Sequence, residues 1–206
     1  MASILVVCTG NVCRSPIAEA SLRSALRARF GDRAPSVASA GTSGWEGSRA
    51  EPGSVAAASE RGLDVSSHRA RRLREVDVAG ATVVVTMAAE HREDIVDLHP
   101  RVAGRTFTLK ELVRLLEAPP GPAGGSQVRV SADPETLLRK RVAEAHELRR
   151  TGFGGNPDDE DVIDPLGMPA ETYRAVAAEL EGWCERLAAA LFGLAPARSV
   201  AGAEAD

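Results

Sequence analysis

Residues 4–16 read ILVVCTGNVCRSP: an apolar run, a tight polar loop and a helix start, with nothing between them. Ile4-Leu5-Val6-Val7 shows no polar alternation, so as a strand it needs cover on both faces. That is the pattern of a parallel sheet enclosed by helices. Ser15-Pro16 then reads as a helix N-terminus, with serine as N-cap and proline at the first helical position.

The chain continues in the same alternation. Ile17, Ala20, Leu26 and Phe30 form an apolar stripe that stops at Gly31-Asp32. Ser36 to Ser39 reads as a second strand, followed by the glycine-rich turn AGTSGW at 40–45. A helix is expected from Glu51-Pro52 to Gly62, a third strand over Thr82–Met87 and a helix over Ala89–Leu98. Thr106-Phe107 closes a fourth strand, and Thr108 with Glu111 forms a capping box that opens KELVRLLE. Glu171 to Phe192 carries Tyr173, Val176, Leu180, Cys184, Leu187 and Leu191 at helical spacing. The expected fold is α/β: one three-layer domain with a central four-stranded parallel sheet flanked by helices and a phosphate-binding loop after strand 1.

The stretch from about 118 to 161 differs in composition. It opens with PPGPAGGS, holds a basic amphipathic helix beginning at Asp133-Pro134-Glu135, and ends in TGFGGNPDDED. It reads as an insertion or lid within a domain spanning 1–195, and 196–206 as a disordered tail.

The net charge of −4 over 206 residues argues against a nucleic-acid partner, although it allows a local cationic pocket. No apolar run reaches membrane-spanning length, and MASILVVC lacks the basic start of a signal peptide. A cytoplasmic protein without membrane association is expected. Three cysteines give no disulfide framework, and four scattered histidines show no metal-ligand spacing. No cofactor motif is present, and the oligomeric state is left open.

In such a chain Cys8 to Arg14 reads as a phosphate cradle. A loop between a strand and a helix N-terminus aims several backbone N–H groups at one point, and the helix end adds positive potential. Thr9, Gly10, Asn11, Val12, Cys13, Arg14 and Ser15 would line it. Gly10 permits the tight backbone, and Arg14 can grip two phosphoryl oxygens at once. Cys8, at the strand end, points into the ring, where the field favours the thiolate, an in-line nucleophile for phosphorus. Taken singly, either cysteine reads as a small buried residue and Arg14 as a surface charge. The strand, C-x5-R, Ser-Pro and helix together point to the cradle.

The segment VCTGNVCRSPIAEA closely resembles the active-site signature of low-molecular-weight protein tyrosine phosphatases. SAGTSGW at 39–45, GLDVSSHRAR at 62–71, VVVTMAAEH at 83–91 and IDPLG at 163–167 resemble further segments of that family. The resemblance covers 3 to about 117 and 162 to 193. It implies a metal-independent phosphomonoesterase acting through a cysteinyl-phosphate on protein phosphotyrosine, with no cofactor. It implies Cys8 as nucleophile, Arg14 as phosphate ligand and Asp164, in its Asp-Pro pair, as general acid. Leaving-group protonation is what such chemistry requires. An N-cap of the last helix is the other reading of Asp164, and Asp158, Asp159 and Asp161 read as a solvated acidic loop.

The resemblance further implies that Asn11, Ser15, Ser39 and His68 hold the loop, and that Trp45 walls the substrate cleft. It also places Cys13 near enough to Cys8 to form a protective disulfide on oxidation. Core packing is the alternative for Trp45 and Cys13. Two positions depart from the family pattern. Leu166 follows Asp164-Pro165 where an aromatic residue is usual, and Val12 stands where phosphoarginine-directed relatives carry threonine. The alternatives are therefore a phosphatase for phosphoarginine or a small aryl or sugar phosphate, or a phosphate- or redox-sensing module. Arg69, Arg71, Arg72 and Arg74, like Arg139-Lys140-Arg141, read as solvated faces.

Overall fold

The computed structural model describes residues 3–118, 133–153 and 160–192. Four strands, β1 (Ile4–Cys8), β2 (Val37–Gly41), β3 (Val83–Thr86) and β4 (Thr106–Thr108), form one parallel sheet in the order β2-β1-β3-β4. Every β1 residue is buried, as its unbroken apolar sequence requires.

Seven α-helices accompany the described strands: α1 (Arg14–Phe30), α2 (Pro52–Ser59), α3 (Glu75–Gly80), α4 (Ala89–Leu98), α5 (Leu109–Glu117), α6 (Pro134–Arg150) and α7 (Ala170–Phe192). Strand alternation splits the core in two. Ile4, Val6, Val83, Val85 and Phe107 face a large apolar layer from α1, α2, α5, α6 and α7. Leu5, Val7, Ala40 and Val84 face Val78 of α3, Ile95 of α4 and Val102.

Three local outcomes differ from expectation. First, α1 begins at Arg14 with Cys13 at its N-cap and no side-chain cap. Ser15 and Pro16 thus lie inside the first turn, where proline's missing N–H costs no helical hydrogen bond. The Ser15 hydroxyl is drawn to Cys8 instead of capping the helix. Second, α3 is an unanticipated element, six residues being too few to display a helical period. Third, α6 is part of the core and not a cover. Leu137, Leu138, Val142 and Ala145 are buried in the larger apolar layer. Arg141 donates to the carbonyls of Ala190 and Leu116, tying α6 to the ends of α7 and α5. The proposed tail at 196–206 and the flanks of the presumed insertion, 119–132 and 154–159, lie outside the described residues, as do Asp158 and Asp159.

The strand order reverses direction between β1 and β3. In open α/β sheets, ligands bind at the carboxyl ends of the strands at such a switch point. The loop after β1 lies there.

Candidate active site

The loop's conformation follows from where its carbonyls point. Those of Cys8, Thr9, Gly10 and Val12 accept from the N–H groups of Thr42, Ser43, Trp45 and Glu51, at 2.9–3.1 Å. The Asn11 carbonyl accepts from His68 Nε2 at 2.8 Å. Five successive carbonyls are therefore held by residues outside the loop. In a trans peptide the N–H of the next residue points the opposite way, so the N–H groups of residues 9–13 turn toward the loop's centre. One of them, Asn11 N–H, donates to Cys8 Sγ at 3.3 Å. The first turn of α1, without a side-chain cap, adds its own free N–H groups.

Asn11 pins this geometry. It has φ +58°, the one non-glycine positive φ among the described residues. Asparagine tolerates that region at small cost. Its amide Nδ2 donates to Ser15 Oγ and Ser39 Oγ, both at 2.9 Å, and its Oδ1 accepts from Arg71 N at 3.0 Å. Ser15, accepting from Asn11, is free to donate its own proton to Cys8 Sγ at 2.9 Å. Ser39 Oγ donates to Glu19 Oε2 on α1 at 2.5 Å, and Glu19 pairs with Arg23.

Arg14 is nearly buried, at 4% exposure. Its Nη1 donates to the Val162 carbonyl at 3.1 Å. Its Nη2 donates to Asp164 Oδ2 at 2.6 Å and to Thr9 Oγ1 at 3.2 Å. Its Nε is buried and has no acceptor among the described residues. Nε and Nη2 share one edge of the guanidinium, the edge that binds oxyanions bidentately.

Asp164 reaches this point because residues 161 and 162 dock at the end of β3. Val162 N–H donates to the Met87 carbonyl at 2.8 Å, and Asp161 Oδ1 accepts from Ala89 N–H at the start of α4 at 2.7 Å. Asp161 is thus an anchor at the N-terminus of α4. The second oxygen of Asp164 accepts from Leu166 N–H at 3.2 Å.

Trp45 is 44% exposed, so it is not core. A methyl group built on Gly10 would lie 3.5 Å from its indole, which sets the ring over the loop. Leu166, two residues after Asp164, is exposed. Cys13 and Cys184 are both buried and unbridged. Burial pushes the Cys13 thiol up to about 12, which works against its attack on an oxidised Cys8. Cys184 sits in the core of α7, its thiol also raised by burial.

The sequence reading missed His91. It is 1% exposed, and its Nε2 lies 2.9 Å from Thr9 Oγ1. Burial, then the Arg14 charge, lowers it from the ordinary 6.5 to about 4. Thr9 Oγ1 thus hydrogen-bonds to both Arg14 Nη2 and His91 Nε2. Glu19 was missed as well. Both residues lie inside segments that resemble the family's, but their contacts are made through space and nothing local shows what their side chains reach.

The family model described as low molecular weight phosphotyrosine protein phosphatase matches residues 3–119. A protein-arginine-phosphatase of Geobacillus stearothermophilus is 31% identical over 185 residues, covering 90% of this chain and 93% of the relative. A probable low molecular weight protein-tyrosine-phosphatase, EpsP, of Ralstonia nicotianae is 38% identical over 110 residues, 53% of this chain and 72% of that protein. Among solved structures, a low molecular weight protein tyrosine phosphatase from T. tengcongensis aligns with TM-score 0.63 and 33% identity, covering 89% of this chain and 95% of that one. The chain belongs to the low molecular weight phosphotyrosine protein phosphatase family.

Proposed function

We propose that this protein removes phosphoryl groups from protein side chains through a phosphorylated Cys8, most directly from phosphotyrosine. The observation that carries the reading is the meeting of three groups at one point. Cys8 Sγ lies at the base of a ring of inward N–H groups, Arg14 presents its Nε/Nη2 edge, and Asp164 contacts that same edge.

The chemistry follows from those positions. A phosphoryl dianion takes the inward N–H groups and the Arg14 edge, displacing the Asp164 carboxylate from Nη2. Positive charge comes from the amides, the helix N-terminus and Arg14, so the reaction is read as metal-independent. The Cys8 thiolate attacks phosphorus and the ester P–O bond breaks. Asp164, released from Arg14, takes a proton from solvent and gives it to the departing oxygen as that bond breaks. Water then attacks the phosphocysteine and gives a proton to Asp164. The S–P bond breaks, inorganic phosphate departs, and the Ser15 hydroxyl steadies the released Sγ. Thr9, Gly10, Val12 and Cys13 contribute through backbone N–H groups, and Asn11, Ser39 and His68 hold the ring. We place the enzyme in the cytoplasm, where Cys8 stays reduced.

For an aryl phosphate the exposed indole of Trp45 and the Leu166 side chain supply apolar walls, and Val12 presents no hydroxyl. A second reading, phosphoarginine, is supported by the arginine phosphatase that aligns over nine-tenths of this chain, and by the absence of a ring at Leu166. The test is hydrolysis of para-nitrophenyl phosphate, a phosphotyrosyl peptide and a phosphoarginyl peptide, with reductant and chelator present. Wild type should hydrolyse at least one peptide, Cys8→Ser none, and Asp164→Ala should lose about 10²–10⁴-fold in kcat on the phosphotyrosyl peptide. Undiminished turnover by Cys8→Ser would refute the mechanism.

A further inference from the structure

The arginine-rich run after His68 divides into two groups. Arg71 and Arg74 both pair with Asp77 of α3, at 2.7 and 3.0 Å. Arg69 and Arg72 have no carboxylate partner among the described residues, and a third cation joins them. Arg49 faces Arg69 across an antiparallel bridge. Ala50 and Ala70, the next residues, are buried, so Arg49 and Arg69 turn outward on the same side. Like charges directly opposite one another cost stability. Glu46, an acid of the same segment, accepts the backbone N–H of Arg72 at 2.8 Å, and the Arg72 backbone lies against Gly44, next to Trp45. This local cationic excess stands on a chain whose net charge is −4.

Its position ties it to the cradle. Glu51, two residues after Arg49, donates its N–H to the Val12 carbonyl at 2.9 Å. Arg71, two residues after Arg69, donates its N–H to Asn11 Oδ1 at 3.0 Å. At about 3.3 Å per extended residue, both arginines spring from backbone within about 7 Å of segments that touch the loop. Trp45 lies between: its N–H bonds the Gly10 carbonyl, while Ser48 N–H bonds the Trp45 carbonyl. A polypeptide with its phosphorylated side chain in the cradle would pass Trp45 to reach this ridge.

We propose that Arg49, Arg69 and Arg72 form a substrate-recognition ridge that selects polypeptides with acidic residues flanking the phosphorylated residue. This rests on the phosphatase reading above and adds the substrate class to it. The side chains of Arg49 and Arg72 are the ones to change. Arg69 is spared because its guanidinium also holds the Ser67 and His68 carbonyls.

The experiment compares phosphotyrosyl peptides that differ only in flanking Asp/Glu versus Ser/Asn, or the same pair carrying phosphoarginine if wild type prefers it. Para-nitrophenyl phosphate serves as the control. Wild type should favour the acidic peptide about fivefold in kcat/KM at low salt, with the preference shrinking as salt is added. Arg49→Ser/Arg72→Ser should lose the preference while hydrolysing para-nitrophenyl phosphate at the wild-type rate, and Arg49→Lys should keep it. Equal rates for both peptides in wild type, or a preference that survives in the double variant, overturn the proposal. Turnover of para-nitrophenyl phosphate with neither peptide cleaved overturns it too. No turnover of any of these phosphorylated substrates, phosphoester or phosphoarginine, overturns the phosphatase reading, and the ridge as a substrate site falls with it.

Discussion

Asn11 concentrates the requirements of the cradle in one side chain. It occupies φ +58° and makes three side-chain hydrogen bonds, to Ser15, Ser39 and the Arg71 backbone. Two substitutions separate these roles. Asn11→Gly keeps the backbone freedom and loses the bonds, whereas Asn11→Ala loses both. Asn11→Gly should be the more stable of the two by about 1 kcal/mol in urea unfolding. Both should lose roughly 10²-fold in kcat/KM, because the Ser15 hydroxyl is no longer oriented toward Cys8. Equal stability of the pair would show that strain is not what Asn11 absorbs. This residue was legible in the sequence because the loop is local: Cys8, Asn11, Arg14 and Ser15 lie within eight positions. His91 and Glu19 were not, since each reaches the loop through one through-space contact.

At the scale of elements, α4 carries a pH-dependent term and α6 a packing one. His91 stands in the first turn of α4, packed behind Thr9, with Arg14, Glu90, Asp94, Asp161 and Asp164 as its charged neighbours. Folding lowers it from 6.5 to about 4. The unfolded chain therefore binds its proton first as pH falls. The stability this site confers is complete above about pH 6.5, declines below it and is gone below about pH 4, a loss on the order of 3 kcal/mol. His91→Asn should flatten the fall in urea-unfolding free energy between pH 7 and 4.5 relative to wild type. A parallel fall in both proteins would contradict that assignment.

Leu138 on α6 is wholly buried in the larger core. Leu138→Ala should cost about 2–5 kcal/mol while leaving kcat/KM per folded molecule unchanged, as expected of a core helix and not of a gate. A changed kcat/KM at full folding would restore the lid reading. The helix itself was legible, since Asp133-Pro134 marked its start and Asp133 caps it by accepting from Thr136 N–H at 3.0 Å. Its destination was not: an amphipathic pattern tells which face is buried, not against what.

For the whole molecule, the sheet order β2-β1-β3-β4 makes a switch point between β1 and β3, and three distant stretches of chain converge there. The cradle comes from residues 8–15, the end of β3 supplies the Met87 and Ala89 backbone, and 161–164 dock on that backbone to bring Asp164 to Arg14. The parallel sheet was readable from the apolar runs of β1 and β3, whereas a shared role for Cys8 and Asp164 is what the family resemblance implies. The ion pair that joins Arg14 to Asp164 belongs to the assembled fold. The central claim is that Cys8 carries the phosphoryl group between substrate and water. Acid-quenching wild type during turnover and reading the intact mass, then the peptide holding residues 8–14, tests it directly. One added phosphoryl group on Cys8 is the expected result. Steady turnover with no phosphoryl group on Cys8 at any quench time, and activity retained in Cys8→Ser, would contradict it.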